Sequence, residues 1–448
     1  MSFKEFQPYP KYKDSGVEWL GEIPEHWRRR KIAHAFARIG SGTTPPTNQH
    51  NWYSDDGIPW ITSGELRENE ILRTAKCVTQ SALDQFSTLR VYPKGSLAIA
   101  MYGGTIGRLG ILGVPATTNQ ACCVMSGETS LAVRFVYYWL LVCKQPIIAI
   151  LAAGGGQPNI NQEIISSLRI PSPSMEEQTA IVSFLDQETS HIDTLISEKE
   201  RLISLLQEYR QATIPHAATK GLDPKVKMKD SGAEWLGEIP EHWRVMPFFT
   251  QAQERKEANK GMLESNLLSL SYGRIVPKDI NTHEGLLPES FESYQIVHPD
   301  DIVFRLTDLQ NDKRSLRSAI CKELGIITSA YLVVRTQVLD SNYLNYLMRS
   351  YDVMKVFYSM GGGMRQSMKF DDLKRLPLIA PPTLEQSAIA SFLDQETSRI
   401  DSLISETRKF VDLLKEYRSA VITAAVTGKI DVREVVPSGS EKQEIAHE

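Results

Sequence analysis

The sequence lacks any long apolar run and contains few cysteines. No stretch approaches the ~18 uninterrupted apolar residues of a membrane-spanning helix, and the opening MSFKEFQPYP has no basic-then-apolar signal pattern. The five cysteines show neither CxxC spacing nor an even framework. We therefore expect a cytoplasmic protein whose thiols are buried rather than paired or metal-bound. They are Cys77, Cys122, Cys123, Cys143 and Cys321.

Signatures of catalysis are also missing. The stretch Gly103–Arg108 lacks the GK[ST] of a phosphate loop, and Thr427–Ile430 lacks the upstream glycine and the following hydroxyl. Ala380–Thr383 lacks the polar first residue and the aromatic fourth residue of the amino-methyltransferase motif. The nine histidines show no HExxH or paired metal spacing, so we expect His26 and His242 to pack or cap. The residues give no positive reason to propose an enzyme.

An internal duplication is the most informative feature that is present. KYKDSGVEWLGEIPEHW at Lys11–Trp27 returns as KMKDSGAEWLGEIPEHW at Lys227–Trp243. FLDQETSHIDTLISE at Phe184–Glu198 returns as FLDQETSRIDSLISE at Phe392–Glu406. The segments between these copies, residues 28–170 and 244–378, are much less alike. We call these two segments the inserts and the rest of the repeated chain the frame, so the frame is kept while the inserts diverge. Two copies of one unit with different inserts predict two recognition domains, which we call heads, carried by the same repeated scaffold.

The net charge of −4 is unevenly distributed along the chain. Residues 28–170 carry a charge of +6 and residues 244–378 a charge of +2, so the remaining frame is acidic. Phosphate contacts need local Lys and Arg rather than a basic whole chain. Basic inserts on an acidic frame are therefore compatible with DNA binding, although a chance partition of solvated charge is an alternative.

Each insert shows short apolar runs bounded by loop-forming residues, which is typical of buried strands. The predicted strands are Ile58–Ile61, Leu97–Met101, Ala121–Met125, Leu267–Leu270, Ile302–Leu306 and Ala330–Val334. Glycine triplets at 154–156 and 361–363 and proline-bearing exits at 171–173 and 381–382 mark the ends of the inserts.

These boundaries predict seven segments in a chain whose length has room for two or three domains. They are an N-terminal repeated segment (1–27), a first insert domain (28–170), a central region with a long helix (171–226), a second repeated segment (227–243), a second insert domain (244–378), a C-terminal region with a second long helix (379–432) and a polar, disordered tail (433–448).

A long helix is predicted after each insert. Residues 177–214 contain neither Gly nor Pro, and apolar residues recur at alternating spacings of three and four, the pattern of a coiled-coil seam. A helix of about 38 residues would span about 57 Å. The predicted seam positions are Ile192, Leu195, Lys199, Leu202, Leu206 and Tyr209 in the first helix and Ile400, Leu403, Thr407, Phe410, Leu414 and Tyr417 in the second.

Each helix could pack on its own insert, but two similar stripes in one chain most economically bury each other. Chain order then makes the helices antiparallel and puts the inserts at opposite ends of the pair. The predicted fold class is α+β, with two mixed α/β insert domains at opposite ends of an antiparallel two-helix coiled coil and an internal pseudo-twofold repeat.

Taken together, these segments resemble the specificity subunit of type I restriction-modification systems. The resemblance is carried by the duplicated DSGxEWLGEIPEHW segments, the ATTNQ loop at Ala116–Gln120, GGGQPNIN at Gly154–Asn161 and the duplicated EQxxIxxFLDxET helices. It covers the chain from about Tyr9 to Val432.

The resemblance implies that each insert reads one half of a split, asymmetric DNA target. It also implies that the helical pair docks two modification subunits, which methylate adenine N6 with S-adenosylmethionine, and that ATP- and Mg-dependent restriction subunits join them. The chain itself is then expected to bind no cofactor or metal, to catalyse nothing and to lie with DNA in a bacterial or archaeal cytoplasm. Two heads related by a pseudo-twofold axis would engage half-sites about 34 Å apart, or somewhat more if the DNA bends.

Candidate DNA contacts are polar or basic loop side chains, because such groups read base edges and phosphates. For each of them the alternative is a loop that satisfies its own backbone or a solvated surface charge. Ile327–Ala330 replaces the TTNQ loop in the second insert, so roles are not transferred between the inserts. The candidates are Thr43, Thr44, Ser63, Tyr102, Thr105, Arg108, Asn119, Gln120, Gln157 and Asn159 in the first insert, and Tyr272, Arg274, Arg305, Thr307, Lys313, Arg314, Arg317 and Arg365 in the second.

The repeated tryptophans and two alternative functions remain to be considered. The repeated Trp19/Trp235 and Trp27/Trp243 are expected to pack the chain into its head rather than to stack on bases. One alternative function is a stand-alone DNA-binding or decoy protein without a methyltransferase partner. The other is an enzyme with an unrecognised site, for example at Asp186 or Asp394.

Overall fold

A computed structural model of the chain describes residues 6–17, 20–151, 159–279, 290–309, 316–360 and 367–434. The chain divides into two compact units, residues 1–198 with 410–448 and residues 199–409. Several predictions lie outside the described residues, namely both glycine triplets, Trp19, Gln157, Lys313, Arg314, Arg365 and the tail from residue 435.

The first unit contains two sheets that lie in the first insert. Hydrogen-bonded neighbours of the larger sheet pair antiparallel, except for the last two strands, which are parallel. Its strands are, in spatial order, Phe36–Ser41, Cys122–Glu128, Leu97–Ala100, Leu109–Leu112 and Asn69–Ile71. The smaller sheet consists of Thr117–Thr118, Ile58–Ile61, Cys77–Val78 and Tyr53–Ser54.

The helices of the first insert begin at side-chain caps. Thr79 Oγ1 accepts from Ala82 N at the start of α1 (Gln80–Gln85), and Asn161 Oδ1 accepts from Ile164 N at the start of α3 (Gln162–Ser167). Such caps satisfy backbone N–H groups that have no partner within the helix. Between them α2 (Val133–Leu151) packs on the larger sheet, with Phe135, Val136 and Trp139 buried in the core.

The described strands of the second unit pair antiparallel, and an isolated parallel bridge joins Leu267 and Ile326. A four-stranded sheet runs in the order Ala252–Glu254, Leu332–Thr336, Ile302–Phe304 and Ser318–Ile320. Two hairpin-like pairs accompany it, Leu268–Ser271 with Arg274–Pro277 and Gln295–Val297 with Gly325–Ile327. The helices of this insert are α4a (Ser341–Val353), α4b (Val356–Met360) and α4c (Phe370–Leu373). All six predicted strands are confirmed, with ends within three residues of those expected.

The duplicated frame folds identically in both units. Each repeated segment forms a short antiparallel pair, Tyr12–Asp14 with Glu22–Pro24 and Met228–Asp230 with Glu238–Pro240. The entry and the exit of each insert then pair with each other. The two ladders are Arg28–Lys31 with Arg169–Ser172 and Arg244–Pro247 with Pro377–Ala380. Each head is therefore closed at its base by its own chain ends.

The predicted long helices are confirmed as αL1 (Met175–Lys220) and αL2 (Thr383–Val426). The end predicted at Ile214 is wrong, because αL1 continues through Pro215 to Lys220. The missing N–H of a proline and its ring disturb the turn before it, yet Ile214, Ala217 and Ala218 are buried, so packing holds the final turn in place.

Both long helices contribute to both cores. In the first unit, Phe184 and Leu185 of αL1 share a hydrophobic core with Val421 and Ile422 of αL2. In the second unit, Ile214 and Ala218 of αL1 share a core with Ile389 and Leu393 of αL2. Among the described residues, none of the helices combines the length and apolar character needed to cross a bilayer.

Burial varies along the predicted seam. Ile192, Ile400 and Leu414 are buried, whereas Leu202, Leu403 and Tyr209 are 40%, 39% and 51% exposed. Ile404, next to Leu403, is 8% exposed. The half-buried positions are Leu195, Lys199, Leu206, Thr407, Phe410 and Tyr417.

Candidate nucleic-acid interface

Each head is attached to a long helix by a buried tyrosine. Tyr138 of α2 donates its hydroxyl hydrogen to Asp186 Oδ1 of αL1 at 2.6 Å, and its oxygen lies 3.3 Å from Thr189 Oγ1. Burial, helped by the hydrogen bond to Asp186, raises the pKa of Tyr138 to about 12, so the phenol stays neutral. The second unit repeats this arrangement, with Tyr346 bonded to Asp394 at 2.6 Å and burial raising its pKa to about 12. Asp186 and Asp394 therefore anchor the heads.

A second attachment joins the repeated segment to the start of each long helix. Trp27 Nε1 donates to Glu177 Oε1 at 2.9 Å, and His26 Nε2 lies 3.1 Å from Glu177 Oε2. Trp243 and His242 contact Glu385 in the same way, at 2.8 and 2.7 Å. Trp27 and Trp243 are fully buried, which confirms that they pack the chain into its head. Trp235 is 37% exposed and stacks edge-on against Tyr351.

Both histidines of the repeated segment thus have a carboxylate partner. Within the described ranges, no group of three or more His, Cys, Asp or Glu side chains is arranged to hold a metal ion. The described cysteines carry no disulfide, and all except the half-buried Cys77 are buried. Cys77 Sγ lies 3.9 Å from Thr74 Oγ1.

The candidate loops of the first head meet at one edge of its sheets. Thr44 Oγ1 donates to Gln120 Oε1 at 2.6 Å, which joins the loop after the strand Phe36–Ser41 to the ATTNQ loop. Asn119 N donates to Ile61 O at 2.9 Å, which joins the ATTNQ loop to the end of the strand that precedes residues 62–65. We call these connected segments the first-head loop cluster. It comprises residues 42–46, 62–65, 101–108, 116–121 and 159–161.

Two more loops join the first-head loop cluster through the backbone. Met101 N donates to Ala121 O at 2.8 Å, and Ile160 N donates to Met101 O at 2.9 Å. Tyr102 and Asn159 form an isolated antiparallel bridge. A Cβ placed on Gly42 would lie 1.7 Å from Thr118 O, so only glycine permits this approach of the two loops. The structure therefore brings all nine described candidates of the first insert into one cluster, with Arg108 exposed at its margin.

Some side chains of this cluster serve the loops themselves. Asn119 Oδ1 accepts from Ala121 N at 3.1 Å, and Thr105 Oγ1 donates to Tyr102 O at 3.5 Å. Gln120 and Asn159 are exposed, while Thr43, Ser63 and Tyr102 are half-buried. Because the loops are cross-linked by hydrogen bonds, their exposed polar groups are held in fixed positions, as base readout requires.

The second head presents Tyr272 at a hairpin tip. Tyr272 and Gly273 have positive φ angles of 47° and 74° and connect two paired strands, the geometry of a type I′ turn. The Tyr272 side chain is 79% exposed. Arg274, the first residue of the second strand of the hairpin, donates to Asp401 Oδ2 of αL2 at 2.7 Å. Tyr272 is thus free to meet a ligand, whereas Arg274 already has a carboxylate partner.

Arg317 differs from the other candidates because it is buried. Its backbone N–H donates to Asp352 Oδ2 at 2.7 Å, and its Nη1 donates to Thr307 O at 3.1 Å. In this position the guanidinium supports the chain around Thr307 from inside. Arg305 and Thr307 are half-buried on the same segment.

One loop of the second head was missed by the sequence reasoning. Residues 255–266 follow the strand Ala252–Glu254, as residues 42–46 follow Phe36–Ser41 in the first head. Buried Asn259 rigidifies this loop by accepting from Glu264 N at 3.0 Å and donating to Glu264 O at 2.9 Å. The loop exposes Lys260 and Leu263. The Asn-Lys-Gly turn at 259–261 was the available signal.

Known proteins with similar sequences are specificity subunits of restriction enzymes. Residues 24–205 match the family model of the type I restriction modification DNA specificity domain. The chain is 23% identical over 432 residues to the type I restriction enzyme MjaIX specificity subunit of Methanocaldococcus jannaschii, covering 93% of this chain and 96% of that protein. It is 25% identical over 203 residues to the EcoR124I/EcoR124II specificity subunit of Escherichia coli, covering 44% and 47%.

Solved structures share the fold. The HsdS subunit from Thermoanaerobacter tengcongensis matches with a TM-score of 0.56 and 15% identity over 91% of this chain and 98% of that one. A chain from work on complex assembly and conformational transition of the type I R-M system matches with a TM-score of 0.69 and 14% identity over 91% and 99%. Over nearly its whole length the chain is therefore similar to specificity subunits of type I restriction-modification systems, and residues 24–205 match the DNA specificity domain of that family.

Proposed function

We propose that the two heads each read one half of an asymmetric, split DNA target and so direct partner subunits to it. The observation that carries this proposal is the contrast between attachment and loops. The same tyrosine, tryptophan and histidine contacts attach both heads to the long helices, whereas the loops at the edges of the heads differ. A common mount with different reading loops is what an asymmetric target requires.

In this proposal the long helices form an antiparallel pair that sets the spacing between the half-sites. Ion pairs support the pairing within each unit. Arg418 Nε of αL2 lies 2.8 Å from Asp193 Oδ1 of αL1, and Arg210 Nε of αL1 lies 3.3 Å from Asp401 Oδ1 of αL2. Half-sites read on one face of the duplex would be separated by about one turn, about 34 Å, or more if the DNA bends.

The chain is a non-catalytic subunit, as specificity subunits are. We propose that two modification subunits bind it and methylate adenine N6 with S-adenosylmethionine, and that restriction subunits using ATP and Mg complete the assembly in the cytoplasm. Base specificity then comes from the first-head loop cluster, Tyr272 and the loop 255–266, and the methyl transfer comes from the partners.

A genome-wide map of N6-methyladenine tests this function. Cells that express the chain with its neighbouring methyltransferase should show a split motif with two unlike halves, absent from cells without the chain. No new motif, with the methyltransferase folded and bound, would favour a decoy or regulatory protein. Exchanging residues 28–170 for another head should change one half-site alone, and a change in both halves would contradict the two-head model.

A further inference from the structure

Two grooves with related linings lie beside the long helices, one in each unit. The second-unit groove encloses about 650 Å³ and the first-unit groove about 600 Å³. Seven lining residues of the second-unit groove have identical counterparts 208 positions away in the lining of the first. The pairs are Tyr346 with Tyr138, Asp394 with Asp186, Thr397 with Thr189, Ser398 with Ser190, Asp401 with Asp193, Ser405 with Ser197, and Arg210 with Arg418.

The two grooves differ in charge. The second-unit groove is lined by four cationic side chains and three carboxylates, whereas the first-unit groove is lined by two cationic side chains and five carboxylates. The cationic residues of the second-unit groove are Arg210, Arg274, Lys322 and Arg349. One groove is therefore suited to an anion and the other is not.

Arg349 is the distinctive residue of the second-unit groove. It lies in α4a, where the first unit has Leu141, and is 9% exposed. Its Nη2 donates to the carbonyl oxygen of Gly273, but its Nε has no hydrogen-bond partner among the residues described. Burial, followed by the nearby positive charge of Arg210, lowers the pKa of Arg349. A buried guanidinium with an unused donor is costly unless a ligand satisfies it.

The neighbouring groups neutralise Arg349 only in part: Asp352 of the same helix attracts it, but Asp352 Oδ2 already accepts from the backbone N–H of Arg317. Asp401 is shared between Arg210 and Arg274, at 3.3 and 2.7 Å. Asn345, one turn before Arg349, also lines the groove, and its buried side-chain oxygen has no partner within the described part of the chain. Rotation of the Asn345 side-chain amide by about 180° would place its N–H donors, instead of its oxygen, in the groove.

We propose that the second-unit groove binds a phosphate group, with Arg349 and Arg210 as its main contacts and Arg274 and Lys322 at the rim. The planar donor fork of arginine matches phosphate oxygens, and a phosphate would use the donor that Arg349 leaves unpaired. The phosphate belongs either to the DNA backbone, in which case the inference rests on the proposed function, or to a free phosphate compound.

The first test titrates inorganic phosphate into the full-length chain, with sodium chloride at matched ionic strength as the reference. Saturable heat in calorimetry and a rise in Tm are expected for the wild type. Arg349→Leu should weaken this binding at least tenfold. Leucine occupies the equivalent position 141, so this variant should fold, which circular dichroism would check. Lys322→Gln, on the exposed rim, should weaken binding less, and Lys227→Gln, in the repeated segment, should leave it unchanged.

The second test measures the salt dependence of binding to duplex DNA. If the groove holds a backbone phosphate, Arg349→Leu should reduce the slope of log K against log salt by about 0.9, the value for one phosphate contact, while Lys227→Gln leaves it unchanged. Phosphate binding without a slope change identifies a free phosphate compound. A slope change without phosphate binding identifies DNA. If the wild type shows no phosphate binding and Arg349→Leu causes no change in the salt slope, the proposal is overturned. If the wild type binds no DNA at all, the proposed function fails, and the phosphate titration still decides this inference.

Discussion

Trp27 donates its indole N–H to Glu177 Oε1 at 2.9 Å, and this bond ties the repeated segment to the first turn of αL1. Glu177 also accepts from the hydroxyl of Tyr9 at 2.7 Å. Burial, with this hydrogen bond, raises the pKa of Tyr9, so the phenol remains a donor. One carboxylate thus satisfies two buried donors, and the join depends on it.

Replacing this carboxylate should destabilise the first unit. Glu177→Ala leaves the N–H of Trp27 and the O–H of Tyr9 without an acceptor, and the free energy of unfolding should fall by about 3 kcal/mol. Glu385→Ala should cost less, because Glu385 is 42% exposed and the second unit has Lys225 where the first has Tyr9. Urea unfolding followed by tryptophan fluorescence measures both. Exposed Glu176→Ala is the control, and an equal loss there would contradict the role of Glu177.

The ion pair between Arg418 and Asp193 should contribute modestly to helix pairing. Their side chains are 28% and 53% exposed, so we expect a coupling energy of about 0.5 kcal/mol that falls with added salt. Asp193→Arg should destabilise the first unit, and the exchanged pair Asp193→Arg with Arg418→Asp should recover most of the loss. A double-mutant cycle at low and high salt measures this. Absence of recovery would show that the two side chains do not act on each other.

Thiol reactivity should follow burial. Burial raises the pKa values of Cys122, Cys123 and Cys143 to about 12, so these thiols stay protonated at pH 8 in the folded chain. Thiolates are the reactive form, and DTNB should therefore modify about one thiol quickly, which Cys77→Ser removes. All five should react after denaturation. Fast modification of three or more thiols in the folded chain would contradict the burial of Cys122, Cys123 and Cys143.

The same thiols give stability a pH dependence. Their folded pKa values lie above the ordinary value of 9, so the unfolded chain loses protons first as the pH rises. Their contribution to stability is complete below pH 9 and is lost between about pH 9 and 12. The midpoint of urea unfolding should fall across this window, and Cys143→Ala should reduce the fall. A midpoint that is constant to pH 11 would contradict this.

Substitutions in the first-head loop cluster should change one half-site only. Gln120→Ala removes an exposed amide and the acceptor of Thr44, and we expect binding to the cognate split target to weaken by about 1–3 kcal/mol. Binding to nonspecific DNA should change little, because a neutral side chain makes no ion pair with phosphate. Fluorescence anisotropy with both DNAs measures the difference. Lys76→Gln, outside the loop cluster, is the matched surface control, and an equal loss on both DNAs would argue against base readout by Gln120.

The sequence by itself determined the frame of this protein. The copies of FLDQET and IPEHW predicted a repeated unit, and the apolar periodicity predicted both long helices, because these signals are local and repeat along the chain. The strand positions followed from short apolar runs between turn residues. The sequence also predicts Trp27 and Trp243 in the core, because both belong to the segment that is repeated in the two copies.

Only the tertiary structure decided which groups meet. The convergence of Thr44 and Gln120, the burial of Arg317 and the engagement of Arg274 by Asp401 join residues far apart in the chain, and no local pattern encodes such distances. The opposite charge of the two grooves is equally nonlocal, because Arg349 and Arg210 meet only after α4a packs against the long helices. Local spacing specifies elements, whereas charge and hydrogen-bond partners are settled by packing between them.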